Sequence, residues 1–223
     1  MKFSLKNLFK TKKGEEARQS RRIFSDGERQ APIKIEEAEP SHLARYQFAL
    51  NYISADDKIL DIPCGSGYGT KLMAENCREA TGIDNSSKAI GHAEEFFLTK
   101  NNHFLVGDME KLGEALPADA SFDAIISFEG IEHIKNAKAF LAGAKKLLKK
   151  GGKLIISTPR KPHGSPYHLR EYSLDEFSAI LETEFVIEGM FGQIYTDIFE
   201  LAKRTVNPGD YKKFNFIAIC TVK

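Results

Sequence analysis

The stretch Ile59-Leu60-Asp61-Ile62-Pro63-Cys64-Gly65-Ser66-Gly67-Tyr68-Gly69-Thr70 constrains this chain more than any other. Ile59, Leu60 and Ile62 form a short apolar run that reads as a buried strand. Pro63 ends it, because proline has no N–H to give to a sheet ladder. Three alternating glycines follow, and Tyr68 to Asn76 reads as a helix. Strand, glycine turn and helix bring a ligand against bare backbone. A second apolar stretch, Ala80 to Ile83, ends in Asp84 about 20 residues on, where an acid can hold a ribose hydroxyl pair.

The same alternation continues down the chain. Ser41 to Ile53 reads as a helix with Leu43, Tyr46, Leu50 and Ile53 on one face. Strands are expected at 58–62, 79–84, 103–107, 122–128, 153–157, 185–190 and 214–222. Helices are expected from Asn85 or Ser86 to Lys100, over Asn136 to Lys150, and from a capping box at Ser173 and Glu176 to Glu182. Residues 193–213 are longer than a hairpin requires and read as an insertion or an extra helix. The alternation predicts an α/β fold, a doubly wound, mostly parallel sheet of seven strands with helices on both faces. Ligands of such sheets sit beyond the carboxyl ends of the strands, where Asp61, Asp84, Asp108 and Glu129 all fall.

Bulk properties exclude several classes. The 223 residues suffice for one α/β domain. Net charge is +1, so the whole molecule offers no large field to nucleic acid. The scattered Cys64, Cys77 and Cys220 fit neither a disulfide framework nor a zinc site and suit a cytoplasmic protein. Charge is uneven: residues 1–22 carry eight Lys/Arg and two Glu, which leaves −5 on the rest. Residues 1–40 therefore read as a basic arm preceding a domain at 41–223. With Phe3, Leu5, Leu8 and Phe9 among its lysines, the arm reads either as a solvated tail or as a weak contact with the inner membrane face.

The spacing G-x-G-x-G differs from the G-x-G-x-x-G of nicotinamide-binding proteins. Asp61 ahead of the glycines would repel a pyrophosphate and attract a cationic amino-acid group. This pattern resembles the class I S-adenosylmethionine (SAM) methyltransferases, over roughly residues 58–223. The resemblance implies the Rossmann-like fold of that family with an antiparallel last strand. It implies that Gly65, Ser66 and Gly67 admit the cofactor's amino-acid part and that Asp61 meets its ammonium. It further implies that Asp84, beside Asn85, takes the ribose hydroxyls, that Asp108 and Met109 meet the adenine, and that Tyr46 closes over the cofactor.

The reaction site is expected at Phe128-Glu129-Gly130-Ile131-Glu132-His133. Methyl transfer to a hydroxyl needs an in-line acceptor and removal of its proton. His133 is a candidate general base, with Glu129 beside it. The alternative is a metal: Glu129, Glu132, His133 and the later His168 form a pattern that resembles the small-RNA 2′-O-methyltransferases and the ubiquinone-pathway O-methyltransferases. That resemblance implies a divalent cation (Mg, Mn or Zn) that lowers the acceptor hydroxyl's pKa. Further segments, among them Ser157-Thr158-Pro159-Arg160 and Pro166-Tyr167-His168-Leu169-Arg170-Glu171-Tyr172, look like bacterial methyltransferases of polysaccharide and lipopolysaccharide synthesis. They imply a glycan or small-molecule acceptor methylated at a sugar hydroxyl. RNA ribose, a quinone phenol, and a non-catalytic SAM-binding scaffold are the alternatives. Nucleic acid is disfavoured by the −5 body.

Overall fold

The computed structural model describes residues 29–206 and 214–223; the basic segment 1–22 lies outside them. Eight strands form one sheet: β1 Lys58–Asp61, β2 Glu79–Asp84, β3 Asn102–Val106, β4 Phe122–Phe128, β5 Leu148–Pro159, β6 Phe185–Ile194, β7 Asp197–Glu200 and β8 Asn215–Val222. Their spatial order is β3-β2-β1-β4-β5-β8-β6-β7. The first five are mutually parallel, and β8 runs antiparallel between β5 and β6.

The expected seven-stranded sheet thus gains one strand. Residues 193–213 do not form a free insertion: β6 extends to Ile194 and turns straight back into β7, which pairs antiparallel with it. The turn is Tyr195-Thr196, with Tyr195 in the left-handed region (φ 56). No Gly, Asn or Asp marks it, so the usual hairpin signal is missing. Both β7 and β8, rather than the last strand alone, oppose the parallel set.

The helices are α1 Pro40–Ala49, α2 Tyr68–Ala74, α3 Ser87–Phe97, α4 Leu112–Ala115, α5 Ala137–Leu147 and α6 Leu174–Leu181. Side chains fix the starts of α3, α5 and α6. Ser86 accepts from Ala89 N and Asn136 from Ala139 N, and Ser173 with Glu176 closes a capping box. Alternation along the strands divides the core. Leu60, Ile125, Leu154 and Ile156 meet Phe140 and Leu141 of α5 and Phe177 of α6 on one face. Ile59, Ala124, Ile126 and Ile155 meet Tyr46 of α1, Met73 of α2 and Ala93 and Phe97 of α3 on the other.

All three cysteines are buried and unpaired. Among the described residues no helix is long and apolar enough to cross a membrane.

Candidate functional site

Parallel register puts the tips of β1, β2 and β4 on one rim. The glycine turn lies there. Gly65 (φ 54) and Gly67 (φ 88) hold left-handed backbone that only glycine takes without strain. A Cβ on Gly65 would meet nothing, so that stretch of backbone is open to a ligand. A Cβ on Gly67 would strike Ala93 of α3 and Phe104 of β3, so the turn packs this closely against them only as glycine. The Ser66 hydroxyl is buried and has no hydrogen-bond partner among the described residues.

Asp84 is 1% exposed and organises the turn. Its Oδ2 accepts Gly65 N at 3.0 Å and its Oδ1 accepts Ser86 N at 2.9 Å. Arg29 Nε lies 3.2 Å from Oδ1, and the same guanidinium donates to Asn85 Oδ1 at 2.8 Å. Asp61 is fully buried, accepting from Tyr46 Oη at 3.0 Å and from Thr70 Oγ1 at 2.6 Å. Burial pushes its carboxyl up to about 7, further than the two hydroxyls can pull it back. Tyr46 is part of the wall: its ring meets Tyr68 and Phe128 edge-on. Met109 is buried, whereas Asp108 is exposed and spends one oxygen on Glu110 N.

The next tip separates two carboxylates that the sequence placed together. Glu129 sits in the left-handed region (φ 51). It pairs with Arg45 Nη2 at 2.8 Å and His42 Nε2 at 3.0 Å, and accepts from Asn215 Nδ2 at 3.2 Å. Burial would raise its carboxyl, but the Arg45 guanidinium and then His42 outweigh it and hold Glu129 well below the usual range. It is a fixed negative charge, not a proton carrier. Arg45 is 1% exposed and also donates to Gln193 Oε1 at 2.8 Å.

Glu132 points elsewhere. It is 1% exposed, and Thr158 Oγ1 donates to its Oε2 at 3.0 Å. Burial, with the Glu129 charge behind it, pushes its carboxyl up to about 8. Ligand atoms of Glu132, His133 and His168 all lie within 4.8 Å of one another. Glu129, included with them from sequence, is outside this group because Arg45 and His42 draw its carboxylate away. Glu132 Oε1 and His168 Nδ1 are buried without a hydrogen-bond partner among the described residues. His133 Nδ1 lies 3.1 Å from the Tyr167 carbonyl, which can only accept, so Nδ1 carries a proton and the neutral ring would have its lone pair on Nε2. That Nε2 is 4.0 Å from Glu132 Oε1.

The loop between β5 and α6 supplies His168 and is tightly tied. Leu169 N and Arg170 N both donate to the Glu132 carbonyl. Glu171 accepts from His163 N at 2.9 Å and Gly164 N at 2.6 Å. The His163 ring stacks on His168 with centroids 4.8 Å apart. Burial, then His133 and His163, lowers the His168 pKa. Sequence reasoning missed Arg29, His42, Arg45, Thr70 and Thr158 as site residues. Each lies in a segment with a family-like pattern (Glu28-Arg29, His42 to Tyr46, Ile59 to Thr70, Ser157 to Arg160), but none of those patterns assigns it a partner.

Comparison with known proteins gives one consistent outcome. A family model described as a methyltransferase domain matches residues 53–208. A probable S-adenosylmethionine-dependent methyltransferase of Mycolicibacterium smegmatis is 30% identical over 160 residues, 68% of this chain and 60% of the relative. A ubiquinone biosynthesis O-methyltransferase of Dechloromonas aromatica is 32% identical over 106 residues, 47% of this chain and 45% of that protein. The chain therefore spans about three-fifths or less of the length of these relatives. An N-methyltransferase from Bradyrhizobium japonicum, solved with S-adenosyl-L-homocysteine, superposes with a TM-score of 0.61 at 16% identity. The match covers 84% of this chain and 87% of that one. A SAM-dependent methyltransferase from Mesorhizobium loti gives 0.63 at 17% identity, covering 81% and 100%. At such identities these two likenesses speak for the fold.

Proposed function

The chain belongs to the methyltransferase-domain family, and from that premise we propose that it transfers a methyl group from SAM to a hydroxyl oxygen of its acceptor. One observation carries the reading: the glycine turn with Asp84 and the Glu132–His133–His168 group stand on the same rim, at the tips of neighbouring strands. The donor is held by backbone at Gly65 to Gly67 and by the Asp84 carboxylate at the ribose. The buried Ser66 hydroxyl, without a hydrogen-bond partner among the described residues, is a further group for the donor.

On the acceptor side, a divalent cation fits Glu132, His133 and His168, because Glu132 Oε1 and His168 Nδ1 are buried with no hydrogen-bond partner among the described residues, Glu171 Oε1 standing 3.6 Å from the latter. When bound it would supply Lewis-acid activation of the acceptor hydroxyl. Thr158 holds Glu132 in place, the Tyr167 carbonyl fixes the His133 tautomer, and Glu129 keeps a negative charge at the rim. An ion held by these three residues would suit an acceptor with two adjacent oxygens, such as a sugar diol or a catechol. A glycan sugar is the first reading, supported by exposed Tyr167 beside the group. A phenolic acceptor is the second, favoured by the relatives named for ubiquinone biosynthesis. The segment 1–22 is proposed to add weak attraction to anionic membranes, which liposome sedimentation with and without it tests.

Tritiated-methyl transfer against glycan, nucleotide-sugar, phenolic and small-RNA pools is the decisive assay. Transfer to oxygen, lost in EDTA and restored by Mn²⁺, supports the reading. Full activity in EDTA moves His133 Nε2 from ligand to proton acceptor. No transfer to any pool, with SAM still bound, leaves a binding scaffold.

A further inference from the structure

Arg29 to Glu39 form a strap laid across the rim. Gln30 Oε1 accepts Glu39 N at 2.6 Å, and Gln30 Nε2 lies 3.0 Å from His42 Nδ1. His92 on α3 donates through Nε2 to the Pro32 carbonyl at 2.6 Å. Ala31 and Ala38 of the strap are themselves buried. Its first described residue, Arg29, reaches the tip of β2, where its guanidinium spans Asp84 and Asn85.

A carboxylate offers about four acceptor positions. Two at Asp84 are already committed to Gly65 N and Ser86 N. A ribose diol needs two more, and Arg29 Nε holds one of them on Oδ1. The guanidinium and the two hydroxyls therefore contend for the same edge of a side chain that is otherwise out of water.

We propose that Arg29 is a residue of the cofactor site, that it sets cofactor affinity from the strap, and that the ribose of an adenosyl ligand takes Asp84 by displacing it. The inference rests on the reading of the rim as the SAM site. It also links the two halves of the rim, because the strap that carries Arg29 holds His42 through Gln30, and His42 holds Glu129.

The test is titration calorimetry of the full chain with S-adenosylhomocysteine, using wild type, Arg29→Gln and Arg29→Lys. Thermal unfolding run alongside confirms that each variant is folded. Arg29→Gln is expected to bind about two- to fivefold more tightly, the range for a partly exposed ion pair that no longer has to break. Arg29→Lys keeps the charge, loses the fork onto Asn85, and is expected to fall between. Hydrogen exchange in residues 30–39 of the wild type is expected to quicken when the ligand is added. Equal or weaker binding by Arg29→Gln, with the strap's exchange unchanged, overturns the proposal while leaving the SAM site intact. Binding by neither wild type nor variant overturns the reading of the rim itself, and the proposal with it.

Discussion

Tyr46 Oη lies 3.0 Å from Asp61 Oδ1 and 3.3 Å from Oδ2, so one hydroxyl of α1 is centred on the carboxylate that ends β1. Thr70 closes the same carboxylate from α2. Among the described residues, the acid at the strand tip is thus held inside the protein by two neutral donors and no cation. Burial disfavours its charged form more than the two hydroxyls favour it, and that can be measured.

Asp61→Asn should change the pH dependence of stability. With its carboxyl raised from 3.8 to about 7, Asp61 favours the folded state most below its unfolded value, and that benefit is lost as pH rises through 7. Asparagine does not titrate. Relative to wild type, the variant should gain on the order of 3 kcal/mol in urea unfolding between pH 4 and pH 8. A difference that stays constant across this range would show that Asp61 is charged throughout.

Gly69 and Gly91 make a matched pair. A Cβ on Gly69 would land on the Tyr46 ring, whereas one on Gly91, exposed in α3, would meet nothing within 4 Å. Gly69→Ala should destabilise by about 1–3 kcal/mol and push Tyr46 off Asp61. Gly91→Ala should stabilise by about 0.5–1 kcal/mol through helix propensity. Denaturant midpoints check both, and equal effects would contradict the packing around α2.

Asp84→Asn removes the charge from a carboxylate that accepts Gly65 N and Ser86 N. Hydrogen bonds to charged groups are worth about 1.5–3 kcal/mol, so affinity for S-adenosylhomocysteine should fall about ten- to hundredfold. Calorimetry reads this directly, and undiminished affinity would place the ribose elsewhere.

Thr158→Val keeps the side-chain shape but strips Glu132 Oε2 of its hydrogen bond. A group that orients a ligand typically costs about ten- to a hundredfold in metal affinity when lost. Mn²⁺ binding followed by electron paramagnetic resonance should weaken by about that factor, while adenosyl-ligand binding holds. Unchanged Mn²⁺ affinity would remove Glu132 from the ligand set.

Most of the sheet could be read from the chain because β1 to β4 are largely apolar runs that end at, or run directly into, an acid or a glycine, and β5 carries the apolar run Leu154-Ile155-Ile156. Asp61 and Asp84 were visible for that reason, and Ser173 with Glu176 marked α6 by local chemistry alone. What escaped was long-range. Arg45 meets Gln193 across 148 positions, and His42 meets Glu129 from the far side of β1. No local spacing encodes such pairs, so Glu129 looked like a neighbour of Glu132 when Arg45 in fact draws it away. The β6–β7 hairpin escaped because Tyr195 takes a backbone conformation that its residue type does not announce.

The extra hairpin also decides how the sheet ends. β7 is only four residues long and is bounded by Asp197 and Glu200, whose side chains are 61% and 36% exposed. A foreign strand approaching that margin finds few unpaired amides and an exposed ion pair at each corner, Asp197 with Arg204 and Glu200 with Lys203. This border therefore resists self-association by strand addition, and the enlarged sheet grows by one strand without becoming a template for fibres.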